Sequence, residues 1–402
     1  MFLFKPSFAL FLVSVLFSLT AFADEAPDFS TERLSGNWGG YRTDLYNSGV
    51  SVDAVYKQSF WRNFSGGVKE GNSGVSYLEA GVTVDAEKAA NLKGTTFYAS
   101  VVSAQGGNPD DFAGTNGGID NTSVTKRAFF LYEAYVEKKF MTDRAALLLG
   151  VRDLNYDFNV TDTSGLFLNS TYGISTEFSA TGDNGPSVFP ATALGARLLV
   201  TPIGASYLQL GVFDGVPGDP NGRGTHIRFK DKEGALLIAE GGVNSAETGK
   251  FAIGAWNYTA RRPDQQTAAL KKLSRGFYLM GDKSVYSADN KDVSAFARVG
   301  FTAGDVEQYK SNWSLGFVMT GFVPSRSEGQ LGFAVSQNRN SSKYKIANAP
   351  VDSQETGYEI TYSDKATPWL TVQPDLQYTV NPGTDPTHDN AWTGGVRFTV
   401  DF

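Results

Sequence analysis

The chain of 402 residues contains no cysteine and only two histidines, His226 and His388. Disulfides, thiolate metal sites and cysteine nucleophiles are therefore excluded. Both histidines stand among Gly, Pro and Asp residues, a setting that predicts solvated loop positions rather than a triad base or metal ligand. HExxH, GxSxG and Walker sequences are missing. An S-x-x-K at Ser123 and Lys126 lacks the SDN and KTG companions that would give it meaning, and no cofactor is expected. A net charge of −7 without a basic stripe excludes nucleic acid as a partner. Beyond residue 23 no apolar run approaches the roughly 18–20 residues of a spanning helix. The longest, "AALLLGV" (145–151) and "ALLIA" (235–239), are strand-sized. A helical membrane protein is excluded; a membrane barrel is not, because its strands carry only a weak alternating signal.

What is present begins with a leader. Lys5 ends a short positive start, Phe8 to Phe22 is apolar, and Ala21-Phe22-Ala23 is a small-x-small site. Residues 1–23 thus read as a secretory signal peptide cut before Asp24. Residues 24–49 form an N-terminal segment. Within it "NWGGYRTDLYNSG" (37–49) predicts a short helix, with Leu45 packed inward and Gly49 as C-cap. From Val50 to Phe402 the pattern is strands and turns, rich in Gly and aromatics, with no second domain boundary.

The last eleven residues alternate strictly. Trp392, Gly394, Val396, Phe398, Val400 and Phe402 share one face; Thr393, Gly395, Arg397, Thr399 and Asp401 share the other. Ten residues span roughly 33 Å as a strand, or about 25 Å when tilted by about 40°, the height between the aromatic girdles of an outer-membrane barrel. The same alternation recurs in "TGYEITY" (356–362), "WLTVQPDLQYTV" (369–380), "LGARLLV" (194–200) and "YLQLGVF" (207–213). In "RAFFLYEAYVEKKF" (127–140) it predicts Phe130, Tyr132, Ala134 and Val136 on the apolar face, against Arg127, Glu133 and Glu137. Short turns, such as "SDKATP" (363–368), alternate with long Gly/Asn/Asp loops at 104–123 and 213–226. That asymmetry belongs to an outer-membrane barrel. At about 24 residues per strand and connection, the chain accommodates sixteen antiparallel strands around a water-filled interior. Pro374 predicts a bulge. A loop at 381–391 symmetric about Pro386 pairs Arg397 with Asp375.

The polar parity supplies the candidate pore lining: Arg127, Glu133, Arg152, Arg197, Glu359, Asp375 and Arg397. A mixed-charge lining suits neutral polyhydroxylated solutes. Asp110, Asp111 and Asp120 in the loop 104–123 offer oxygen ligands for calcium, but without the spacing of a defined calcium loop they read as solvated surface.

Several stretches together resemble the carbohydrate-selective porins of the OprB type: "NWGGYRTDLYNSGV" (37–50), "FLNSTYGI" (167–174), "FPATALGARL" (189–198), "YLQLGVFDG" (207–215), "GYEITYSDKATPWLTVQPDLQYTVNPG" (357–383) and the terminal strand. The resemblance implies a sixteen-stranded barrel in the bacterial outer membrane, embedded in its lipids. Loops folded inward would form a constriction passing monosaccharides and similar solutes by diffusion. It implies that "FLNSTYG" lies near the constriction, with Asn169 and Ser170 forming hydrogen bonds and Phe167 or Tyr172 offering a stacking face. It also implies that the barrel-assembly machinery reads the strand ending in Phe402. One departure is Gln330 in "PSRSEGQLG" (324–332), where the resemblance implies an acidic residue; a sugar-like organic acid therefore stays open as the solute. The competing readings are an outer-membrane barrel enzyme using His226 or His388, and a secreted glycan-binding β-sandwich.

Overall fold

The computed structural model describes residues 25–125, 127–218, 233–271 and 273–402. The leader reading of residues 1–23, and the readings of Lys126 and His226, lie outside them. The barrel strands are β1 (Val50–Ser65), β2 (Gly71–Asp85), β3 (Thr95–Gly106), β4 (Ala128–Phe140), β5 (Ala145–Arg152), β6 (Ala193–Val200), β7 (Ser206–Asp214), β8 (Ala235–Ser245) and β9 (Gly249–Tyr258). After a two-residue hairpin, β10 (Arg262–Pro263) and β11 (Leu270–Lys271), follow β12 (Arg275–Ala288), β13 (Lys291–Thr302), β14 (Tyr309–Thr320), β15 (Gln330–Asn340), β16 (Gln354–Thr367), β17 (Leu370–Val380) and β18 (Ala391–Asp401). Apart from β10–β11, each strand pairs antiparallel with its neighbours and β1 pairs with β18, closing a sixteen-stranded barrel. A soluble sandwich is thereby excluded.

The sides of the wall are inverted relative to a water-soluble protein. Phe60, Leu149, Ile253, Leu315 and Ile360 point outward and are exposed, whereas Glu79, Glu133, Arg197, Arg298, Glu359 and Arg397 point inward and are buried. Contiguous apolar surface on the outside of a closed sheet is stable only against lipid. One end of the barrel carries tight turns. Asp289 and Asn290, both with positive φ, make a two-residue turn between β12 and β13 whose twist matches the strands. The other end carries the long connections, including 107–127 and 153–192.

The helix Tyr41–Asn47 sits at the tight-turn rim, and Gly49 follows it with φ +89°. Its buried residues are Arg42 and Tyr46; Leu45 is exposed rather than inward. Arg42 Nη2 donates to Val52 O at 2.7 Å and to Phe402 O at 2.8 Å, tying both chain ends of the barrel together.

Four further expectations are corrected. Strand β16 continues through Thr367, so the turn is Pro368–Trp369 rather than 363–368. In β4 a bulge shifts the register between Ser100↔Glu133 and Val101↔Leu131. The shift exchanges faces, so Phe130 and Tyr132 are buried inside while Phe129 and Leu131 face out. Pro374 makes no bulge: the β17–β18 ladder runs evenly through Pro374↔Val396, and the β16–β17 bridges lapse opposite Pro374 and resume unshifted at Asp364↔Val372. The closing hairpin is centred on Asp385, because Ala391 joins β18 instead of the loop. Arg397 therefore faces Gln373, and Asp375 faces Gly395. The two-residue slip keeps every side chain on its predicted face.

Candidate functional site

The connection between β5 and β6, residues 153–192, folds into the barrel interior. A buried loop lacks ladder partners for its amides and carbonyls, and wall side chains supply them. Asp153 N donates to Glu133 Oε1 at 3.0 Å, Asn159 N to Glu240 Oε2 at 2.9 Å, and Thr163 N to Asp282 Oδ2 at 2.7 Å. Leu168 N and Asn169 N donate to the two oxygens of Glu359 at 2.6 and 3.0 Å. The carbonyls are taken by Arg298, which donates to Asn159 O, Thr171 O, Tyr172 O and Gly173 O at 2.7–3.2 Å. Charge-assisted bonds of this kind are roughly twice as strong as neutral ones.

The β3–β4 connection is held in the same way from the opposite side. Asp120 accepts from Arg397 Nη2 and Trp61 Nε1, each at 2.7 Å, and from Thr122 N at 2.8 Å. Burial opposes ionisation of Asp120, but Arg397 and these donors outweigh it and hold its carboxyl below the usual range. Glu355 accepts from Asn116 N, Gly117 N and Gly383 N, joining two long loops. Asp110 accepts from Thr115 Oγ1 and Ile119 N, and burial pushes its carboxyl up to about 6. Asp110 and Asp120 are thus engaged inside the barrel rather than solvated. Among the described residues no group of three or more His, Cys, Asp or Glu is arranged to hold a metal.

Beside the inward loop, on the β1–β2 and β16–β18 side, remains an open cavity of about 540 Å³, within the size range of small-molecule sites. Lys57, Tyr77, Tyr132, Phe189 and Thr399 are among its lining. Tyr77, Tyr132 and Phe189 meet edge to face at 5.5–6.0 Å.

A closed barrel with two loops clasped inside it matches known proteins along most of its length. The sequence model of the carbohydrate-selective porin family, OprB, matches residues 72–402. The chain belongs to this family. It is an outer-membrane porin of bacteria. Porin B of Pseudomonas aeruginosa is 22% identical, with 95% of this chain and 94% of that protein covered. The high-pH structure of Pseudomonas putida OprB overlays with a TM-score of 0.83 at 19% identity, covering 94% of this chain and all of that one. The low-pH structure of the same protein gives 0.63 at 17% identity, covering 93% and all of that chain.

In this porin the predicted lining residues are inward with one exception, but they grip loops and each other. Arg127 is exposed and precedes β4, outside the lining; the bulge at Tyr132 breaks the parity that linked it to Glu133. Arg152 pairs with Glu133 at 3.1 Å and Asp157 at 3.0 Å; Arg197 pairs with Glu137 at 2.7 Å and Asp157 at 3.2 Å. Asp375 accepts from Gln377 Nε2 at 3.0 Å. Phe167 and Tyr172, each 1% exposed, pack against Phe296 and present no free stacking face. Asn169 caps Thr171 N and donates to Gln377 Oε1. Half-buried Ser170 packs beside Gly118, its N–H donating to that residue's carbonyl. Gln330 begins β15 at the tight-turn end, opposite cavity-lining Ser363 and two residues before Gly332, which lies against Leu166 and Phe167 of the inward loop. His388 is half-buried, 3.9 Å from Asp385. Sequence reasoning missed Lys57, Tyr77, Glu240, Asp282, Arg298 and Glu355; Lys57 shares parity with Ser59, Trp61 and Asn63 in "KQSFWRN", a signal that was there to read.

Proposed function

We propose that this porin passes monosaccharides and similarly small polyhydroxylated solutes by passive diffusion along the cavity beside the inward loop. The observation that carries the reading is the makeup of that cavity. One side carries half-exposed Phe189, backed by Tyr77 and Tyr132 and able to meet the C–H face of a sugar ring, and the other sides carry hydroxyl and charged groups that can exchange water for solute hydroxyls. Cations and anions are both present on its lining, so neutral and charged sugars of this size can both enter. In this reading residues 1–23 are a leader removed on export, and the assembly machinery reads the strand ending in Phe402. The outward belt rests in outer-membrane lipid, and the histidines have no catalytic role. Swelling of liposomes carrying the purified protein, in a panel of sugars and sugar acids, tests it. Swelling should be fast for monosaccharides and fall with solute size; rates equal to those of protein-free liposomes would overturn it.

A further inference from the structure

Most cations inside this barrel are already engaged. Arg152 and Arg197 are ion-paired, Arg298 holds loop carbonyls, and Arg397 holds Asp120, Asn121 and Ser59. Lys57 differs. It stands halfway along β1 on the inner face, opposite Thr399 and one inward position from the Ser59↔Arg397 pair. Its ammonium lies 5.4 Å from the Tyr77 ring centroid, and it makes no ion pair or hydrogen bond among the described residues.

The carboxylates around it are held by other groups. Glu79 accepts from the Tyr77 hydroxyl at 2.6 Å. Asp53 accepts from Ser51 at 2.7 Å and Arg42 at 3.5 Å. Asp153 accepts from Asn155 N, Phe189 N and the Tyr132 hydroxyl. Asp401 stands near Arg33 and Lys365 as well as Lys57, and Asp120, the other carboxylate close to Lys57, is held by Arg397. The Thr399 hydroxyl beside Lys57 donates no hydrogen bond among the described residues.

We propose that Lys57 is a specificity-determining residue that receives the carboxylate of a sugar acid, while the ring of that solute lies against half-exposed Phe189. The inference rests on the reading of the cavity as the sugar path and narrows it to carboxylated sugars over neutral ones of the same size. A half-exposed ion pair of this kind is screened by salt and amounts to a few-fold in affinity.

Single-channel recording and liposome flux with D-glucose and D-glucuronate, which share one ring, test the assignment. Glucuronate should interrupt the wild-type current at lower concentration than glucose, and the effect should weaken as ionic strength rises. Lys57→Gln should raise the glucuronate concentration required by about fivefold and change glucose flux by a smaller factor, while Lys57→Arg keeps the wild-type preference. Equal changes for both sugars, no change for glucuronate, or a salt-independent block of the wild type would overturn the role of Lys57 while sugar flux persisted. The salt series needs no variant, so it stands even where Lys57→Gln fails to fold. Absence of flux for both sugars in the wild type would overturn the sugar-path reading itself.

Discussion

Arg397 Nη2 lies 2.7 Å from Asp120 Oδ1, across 277 positions of sequence. The last strand thereby fixes a loop made near the start of the barrel. Both side chains are buried, so removing one partner leaves an uncompensated charge. Arg397→Gln should destabilise the folded porin by about 3–5 kcal/mol. Adding Asp120→Asn should restore much of that loss, because the stranded carboxylate is gone. Denaturant unfolding of the two single variants and the double variant in detergent gives the coupling. Simple additivity of the two losses would show that the pair is not a unit.

Arg127 and Arg197 separate the lining from what merely shares its sequence parity. Arg197→Ala strands buried Glu137, while Asp157 keeps its pair with Arg152, and should cost about 3–5 kcal/mol. Arg127 is exposed outside the strand, and Arg127→Ala should leave both stability and conductance within error. Heat-modifiability on gels and single-channel conductance check the two variants side by side. A conductance change in Arg127→Ala with normal folding would return that residue to the pore.

The chain end offers a third test. Phe402 N donates to Ala54 O at 2.9 Å, and its carbonyl accepts from Arg42 at 2.8 Å. Deleting Phe402 removes both links at the β1–β18 seam that closes the barrel. The folded, heat-modifiable fraction should fall, in refolding from urea as well as in cells. A loss seen only in cells would place the role of Phe402 in recognition during assembly rather than in closure.

The barrel was legible in the sequence because a strand's two faces are written in parity, and parity survives errors of register. The closing hairpin shows this: its register is off by two, yet Arg397 faces inward as expected. The bulge at Tyr132 shows the limit, since one extra residue reverses every face before it and nothing local in "AFFLYEAY" marks it. The inner site was less legible for a different reason. Glu133, Glu359 and Arg397 were recognisable as inward, but whether an inward charge meets water or a loop depends on backbone arriving from far along the chain. Glu359 takes the amides of Leu168 and Asn169, about 190 positions away. No spacing rule reports such a contact. The aromatic residues Phe167 and Tyr172 were misassigned likewise, because an apolar ring on an inward loop can pack on the wall as readily as face a solute.

Glu177 contributes to the pH dependence of stability. It is 1% exposed on the inward loop, in the helix Thr176–Ser179. Burial raises its carboxyl to about 7, against the opposing effects of Ser175 Oγ at 2.8 Å and Arg298. In the unfolded chain a glutamate titrates near 4.3. Between these values the folded porin binds a proton that the unfolded chain does not, so this group's contribution to stability is greatest in acid. It is lost as pH rises from about 4 through 7, at up to about 1.4 kcal/mol per pH unit. Asp120 has the opposite sign: held below the usual range, it loses its contribution only as pH falls below about 4. Glu177→Gln should therefore gain on the wild type as pH rises from 5 to 7, and the difference should level off above pH 8. Urea unfolding of both proteins at pH 5, 6, 7 and 8 measures it. Parallel stability curves would mean that Glu177 titrates alike in the folded and unfolded chains, and that its burial does not govern its proton.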